Sequence, residues 1–146
     1  MRGYVMVGSS NLDKSRAFYD VVLGVMGMMS IYEDEVCVGY AHDGNDDVEF
    51  YITKPVNGKP VTFGNGTQIS FLTESREDVD KFHKTALDLG AKNEGNPGFR
   101  PSDSEVYYAY IRDPDGNKIC AYSNICLLYT SPSPRDDRSS RMPSSA

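Results

Sequence analysis

The chain resembles itself at a fixed offset of 64 residues. Tyr4 precedes the apolar alternation of Val5 and Val7 and a polar helix start at Asn11; Gln68 precedes Ile69 and Phe71 and a polar helix start at Ser75. Phe18 and Phe82 keep the same separation. A fixed internal period decides architecture before any local reading, because each copy is one supersecondary unit that buries its apolar face against the next. Two copies of one strand-helix-strands unit are expected, and Tyr4 and Gln68 become equivalent positions.

A chain of 146 residues suits one domain with a proper core, and 39% hydrophobic with 25% charged residues is ordinary globular composition. The net charge of −6 argues against a nucleic-acid or anionic-membrane partner. Three cysteines, Cys37, Cys120 and Cys126, lack CxxC spacing, so reduced thiols in a cytoplasm are expected rather than a disulfide framework or zinc knot. No apolar run approaches the ~20 residues of a membrane span, and the N-terminus lacks the basic-then-apolar pattern of a signal peptide. Cytoplasmic location is the expectation.

Residues 127–146, a Ser/Pro/Arg tract without apolar periodicity, are expected to be a disordered tail, since they cannot bury enough surface to offset their ordering entropy. The stretch resembles translated adapter or vector sequence and is expected to be non-native. It carries three Arg against two Asp, so the folded part stays acidic without it. One domain over 1–126 remains, with modules at about 1–54 and 66–126.

In the first copy a strand is expected over residues 4–9. A helix capped by Asn11 then runs to about Leu23, with Gly24 as its stop. Ser30 to Ala41 is rich in β-branched and aromatic residues, His42 to Asp46 reads as a loop, and Val48 to Thr53 as a strand. Lys54 to Asn65 is the linker. The second copy repeats the order: a strand at Thr67 to Leu72, a helix from Ser75, with Asp78 completing a near capping box, to Gly90, and a Gly/Pro/Asn loop to Ser104. Strands at Val106–Arg112 and Lys118–Ser123 then flank a tight Asp-Pro-Asp-Gly-Asn turn.

Leu12-Asp13-Lys14-Ser15-Arg16-Ala17-Phe18-Tyr19, followed by Leu23-Gly24, resembles the first-helix signature of the vicinal oxygen chelate superfamily of glyoxalases, bleomycin-resistance proteins and extradiol dioxygenases. Arg112-Asp113-Pro114-Asp115-Gly116-Asn117-Lys118-Ile119 resembles its final hairpin. The resemblance spans roughly residues 3 to 125. It implies an α+β fold in which two βαβββ modules form a cup-shaped mixed sheet with the helices outside.

Strand alternation sorts the faces independently. Val5, Val7, Val48, Phe50, Ile52, Ile69, Phe71, Ala109, Ile111, Ile119 and Ala121 are expected to face the helices. The opposite face then carries Tyr4, Met6, Glu49, Tyr51, Gln68, Ser70, Tyr108, Tyr110, Cys120 and Tyr122. A face this rich in Tyr reads either as strands packed on a dimer partner or as a concave pocket with aromatic walls and a few convergent polar groups.

The resemblance also implies a divalent metal held by one His, Glu or Gln from each of four equivalent strand positions. These fall here on Tyr4, Tyr51, Gln68 and Cys120, where Cys120 replaces the usual Glu. Hard cations prefer carboxylates or imidazoles, so no metal and no other cofactor is expected. His42 reads as a surface loop residue and His83 as a helix residue. Glu49, beside Tyr51 on an aromatic wall, is either a general base with a raised pKa or a solvated edge carboxylate. Cys120 has no His placed by sequence to activate it as a nucleophile.

The expected function is binding or sequestration of a small molecule in the cup, planar or aromatic, and cationic in view of the carboxylate and phenols. The chain is expected to act as a homodimer without nucleic-acid or membrane partners. One alternative is a metal-dependent lyase or dioxygenase-type enzyme with a rearranged site built on Glu49, Gln68 and His42. Another is a structural role in which the Tyr-rich face is a protein interface.

Overall fold

The structure, a computed structural model, describes residues 3–124. Both helices begin where a side-chain oxygen replaces a missing intrahelical acceptor. Asn11 accepts the Lys14 amide and opens α1 (Leu12–Val22), and Ser75 accepts the Asp78 amide and opens α2 (Arg76–Asp88). α1 ends at Val22 with Leu23 as its cap, within a residue of the expected end, but the chain does not leave the helical path there. It tightens into a 3-10 turn over Leu23–Met26 that buries Leu23 and Met26, and Gly27, at φ 78°, takes the left-handed capping position.

The first module holds β1 (Val5–Gly8), β2 (Met28–Glu33), β3 (Cys37–His42) and β4 (Phe50–Thr53); the second holds β5 (Ile69–Leu72), β6 (Lys92–Phe99), β7 (Val106–Arg112) and β8 (Lys118–Asn124). They form two four-stranded sheets of one topology, ordered β1-β4-β3-β2 and β5-β8-β7-β6. In each, the first strand pairs parallel with the last and the other neighbours are antiparallel. The fold is therefore α+β with two open mixed sheets. Met6 stands opposite Tyr51 and Ser70 opposite Cys120 in the parallel ladders, which makes Tyr51 and Cys120 equivalent, as Tyr4 and Gln68 are. The final residues of the expected domain and the whole tail, Cys126 included, lie outside the described residues.

Alternation sorts most of the sheet correctly. Val7, Phe50, Ile52, Ala109, Ile111, Ile119 and Ala121 are buried beside Phe18, Tyr19 and Val22 of α1 and Val79, Phe82 and Ala86 of α2, and Val5, Ile69 and Phe71 pack against them. Each large side chain so buried contributes about 1.5–3 kcal/mol. The modules share this core: Phe50 meets Phe71 edge-on, ring centroids 5.4 Å apart. Val48 departs from its expected side. The regular strand begins only at Phe50, and the Val48 methyls lie with the Tyr51 ring over Gly39, 2.9 Å from where a Cβ would stand.

The segment after α2 is also not the loop expected. Lys92–Phe99 pairs antiparallel with β7 in spite of Gly95, Pro97 and Gly98. Two register shifts, between Asn93 and Gly95 and between Gly95 and Gly98, accommodate residues that a regular ladder disfavours. β6 is an edge strand, where a proline costs no ladder bond on its open side. The linker runs back over the molecule, laying Val61 on Gly8 and Phe63 on Gly116.

Candidate functional site

The repeated topology gives the molecule two junctions at which the β-hairpin end of one module meets the first strand and helix of the other. At the first, the turn Asp113–Asn117 is bonded to β1 and α1. Asp115 accepts the Ser10 amide at 2.9 Å and the Ser15 hydroxyl at 3.3 Å, and the Asn117 side chain donates to the Gly8 carbonyl at 3.0 Å. Buried Asp113 accepts from the Tyr19 hydroxyl at 2.5 Å and from the Asn117 amide at 2.9 Å. At the second, the β3–β4 connection faces the end of β5 and the start of α2 across a cavity of about 930 Å³. Met26, Phe71 and Leu72 give it apolar wall, His42, Ser70 and Tyr122 a polar one, and Asp43, Glu49, Glu74 and Asp78 an acidic one.

Glu49 stands at the centre of this region. It borders the large cavity, a cleft lined by Tyr4, Val48 and Tyr51, and a third cleft lined by Gln68 and Ser70. It accepts the His42 amide at 2.8 Å and the Asn45 side chain at 3.0 Å, and lies 2.9 Å from His42 Nδ1. Burial pushes its pKa up, but the His42 amide, the Asn45 side chain and the His42 ring together outweigh burial and hold it below the ordinary value. Of the two readings of Glu49, the general base with a raised pKa does not match these surroundings, which lower it. Glu49 is a fixed, ionised carboxylate. His42 is not a free loop residue: it ends β3 and orients Glu49. His83 is buried on α2 against Asn93 at 2.9 Å.

The remaining expected site residues form groups within each module. Tyr4, 58% exposed, meets Tyr51 edge-on at 4.9 Å, with Tyr32 on the far side of Tyr51 at 6.4 Å and Met6 exposed alongside. In the second module Gln68 donates to Ser70 at 2.9 Å. Tyr110, Tyr108 and Tyr122 form a row, with centroid separations of 5.9 and 5.7 Å and near-parallel planes. Arg100 and Lys118 each lie 5.1 Å from the Tyr110 ring centre, so this end of the row is cationic while the Glu49 end is acidic. Cys120 does not line an open wall. It is fully buried beside its cross-strand partner Tyr110, and burial pushes its thiol up to about 11, which leaves it protonated and inert at neutral pH.

Sequence reasoning missed Asn45, Arg100 and Lys118, set Val48 on the wrong face, and misjudged His42. A signal existed for the last: His42 and Glu49 flank an Asp-Gly-Asn loop, and a hairpin brings its flanks together. Lys118 shares the face of Cys120 and Tyr122 by the two-residue strand period and could have been read from it, whereas Arg100 follows β6, which no strand period announces. Among the described residues no three His, Cys, Asp or Glu side chains group as a metal site requires. None of the described helices is long and apolar enough to cross a membrane.

The family model described as Glyoxalase/Bleomycin resistance protein/Dioxygenase superfamily matches residues 2–121. Among solved structures, a glyoxalase/bleomycin resistance protein from Albidiferax ferrireducens T118 is 40% identical, with a TM-score of 0.73 over 83% of this chain and 96% of that one. A glyoxalase/bleomycin resistance protein/dioxygenase family enzyme from Burkholderia phytofirmans PsJN is 19% identical, with a TM-score of 0.64 over 83% of this chain and 96% of that one. A lactoylglutathione lyase from Agrobacterium tumefaciens, 19% identical, has a TM-score of 0.62 over 86% of this chain and 95% of that one. A search of curated proteins finds no match.

Proposed function

The chain belongs to the Glyoxalase/Bleomycin resistance protein/Dioxygenase superfamily, and from that premise we propose that it binds and sequesters a small, planar, cationic molecule at the open junction between its modules, using a degenerate form of the family's metal site. The observation that carries this reading is the placement of Glu49, an ionised carboxylate where three clefts meet, one of them walled by Tyr4 and Tyr51. A cation entering there exchanges water for an oriented carboxylate and for ring faces, a combination worth about 1–2 kcal/mol from the aromatic contact alone when desolvated. The further carboxylates Asp43, Glu74 and Asp78 raise the local concentration of cations.

The donor set does not fit the divalent ion that the family implies. Tyr4 and Tyr51 are phenols, Gln68 is a neutral amide already donating to Ser70, and Cys120 is buried with a thiol near 11. Such groups are poor ligands for a hard cation at neutral pH. A cytoplasmic homodimer is part of the same reading, and the exposed apolar side chains Met6, Met29, Tyr32 and Val36 of the first module support the pairing.

The rival reading, a lyase or dioxygenase with a rearranged site, has one observation in its favour: His42 and Glu49 lie 2.9 Å apart, and Glu49 shares a cleft with Gln68. Calorimetric titration with N-methylacridinium, together with metal analysis of the purified protein, separates the two. Saturable binding without stoichiometric metal, weakened about tenfold in Glu49→Gln for loss of a charged contact, supports sequestration. Stoichiometric metal lost on Glu49→Gln or His42→Ala supports the enzyme.

A further inference from the structure

Beside the Asp113–Asn117 turn of the closed junction lies a depression of about 530 Å³ that the binding reading does not use. Its walls come from four separate segments: Lys14 on α1, Phe63 on the linker, Leu89 and Gly90 just past α2, and Lys92 and Arg112 on the paired strands β6 and β7. Three cations converging on one depression is unexpected in a chain of net charge −6. The ion pairs among the described residues account for only one of them. Arg112 donates to Glu94 at 3.3 Å and to the Gly116 carbonyl at 3.0 Å, whereas Lys14 and Lys92 enter no ion pair.

The apolar part of the depression is built just as definitely. The Arg112 guanidinium lies 5.4 Å from the centre of the Phe63 ring, and the ring rests on Gly116 so closely that a Cβ there would stand 2.9 Å from it. Phe63 is thus held in place by the hairpin, yet it remains 47% exposed, and Leu89 beside it is 45% exposed. The negative features are muted. Asp113, the carboxylate on the lining, is buried and bound by Tyr19 and Asn117, and the last carbonyls of α2 at Thr85, Ala86 and Leu87 accept amides from Leu89, Gly90 and Ala91.

We propose that this depression is a second binding site, for a small organic anion whose compact dianionic head sits between Lys14 and Lys92 and whose planar apolar body lies on Phe63 and Leu89. A dianion matches two ammonium groups that have no ion-pair partner among the described residues, and point-charge ammoniums accept a phosphate head without demanding the planar fork that Arg gives a carboxylate. The site is separate from the Glu49 cleft and does not depend on what that cleft binds.

The test is calorimetric titration of the full chain with phenyl phosphate and with inorganic phosphate, for the wild type, Lys14→Gln/Lys92→Gln and Phe63→Ala. Phenyl phosphate is expected to bind saturably at one site, more weakly as salt rises, and at least about tenfold more weakly in the double lysine variant, as loss of charge-assisted contacts requires. Phe63→Ala should weaken phenyl phosphate and leave inorganic phosphate unchanged. Both lysines are exposed, so the thermal midpoint of the double variant should stay at the wild-type value, which confirms that any loss is local. Absence of saturable phenyl phosphate binding, equal affinity in the double variant, or equal loss of both ligands in Phe63→Ala would overturn the proposal.

Discussion

The two junctions between the modules are built from equivalent elements and have opposite character. Where the Asp113–Asn117 turn meets β1 and α1, the polar side chains of the turn are directed at partners in the other module or within the turn itself. Where the β3–β4 connection meets β5 and α2, the polar groups instead bond among themselves, His42 and Asn45 to Glu49, and a large cavity separates the modules. A duplicated fold needs only one such seam to fix the modules together through a shared core. The other is then free to hold a ligand, and its charged groups are pre-oriented without being consumed.

The difference can be broken at the closed seam first. Asp113→Ala should cost about 3 kcal/mol in denaturant unfolding, because it leaves the buried Tyr19 hydroxyl and the Asn117 amide without their acceptor. Alkaline titration probes the same module. Cys120 has its folded pKa raised, by burial, from 9.0 to about 11. The stability linked to it is fully present below pH 9 and is lost as the pH rises through 11. That difference in proton affinity between the folded and unfolded chain is worth roughly 3 kcal/mol, and Cys120→Ala should flatten that part of the thermal midpoint profile.

The paired glycines sharpen the contrast. Gly116 in the closed seam and Gly44 in the open one both have φ near +90°, at 91° and 89°. Gly116→Ala adds a Cβ 2.9 Å from Phe63 and should cost about 2 kcal/mol, whereas Gly44→Ala meets nothing within 4 Å and should cost only the conformational penalty of about 1 kcal/mol. Equal costs at the two sites would mean that the linker does not rest on the hairpin. The smallest stability effect is expected for Glu49→Gln, within about 1 kcal/mol, since an amide keeps the shape and some of the hydrogen bonds.

What is legible in the sequence follows from which forces act locally. The 64-residue period, the Asn11 and Ser75 caps and the burial of Val7, Phe50, Ile111 and Ile119 are consequences of residue type at fixed spacing, and the structure bears them out. β6 is hidden from such reasoning because its stability comes from pairing with β7 rather than from its own Gly- and Pro-bearing composition. The end of α1 near Leu23 is legible, but the 3-10 turn over Leu23–Met26 that follows it and closes at Gly27 is not, because burial of Leu23 and Met26 holds it. At the site, the tyrosine face can be read by alternation, but the state of Glu49 cannot. Its pKa depends on hydrogen bonds across a loop closure, and these reverse the sign that burial alone suggests. Cys120 fails in the complementary way: the face is right, and only the covering by its neighbours is invisible.

The central claim is that the open junction holds the ligand, and amide chemical-shift mapping with N-methylacridinium tests it most directly. The account predicts shifts concentrated at Gly3–Val5, Gly24–Gly27, His42–Tyr51 and Ser70–Glu74, with Ser10, Asp115 and Asn117 unmoved and the whole set diminished in Glu49→Gln. Shifts centred on the closed seam or around Lys14 and Lys92, or a pattern around His42 and Glu49 that Glu49→Gln leaves intact, would contradict it.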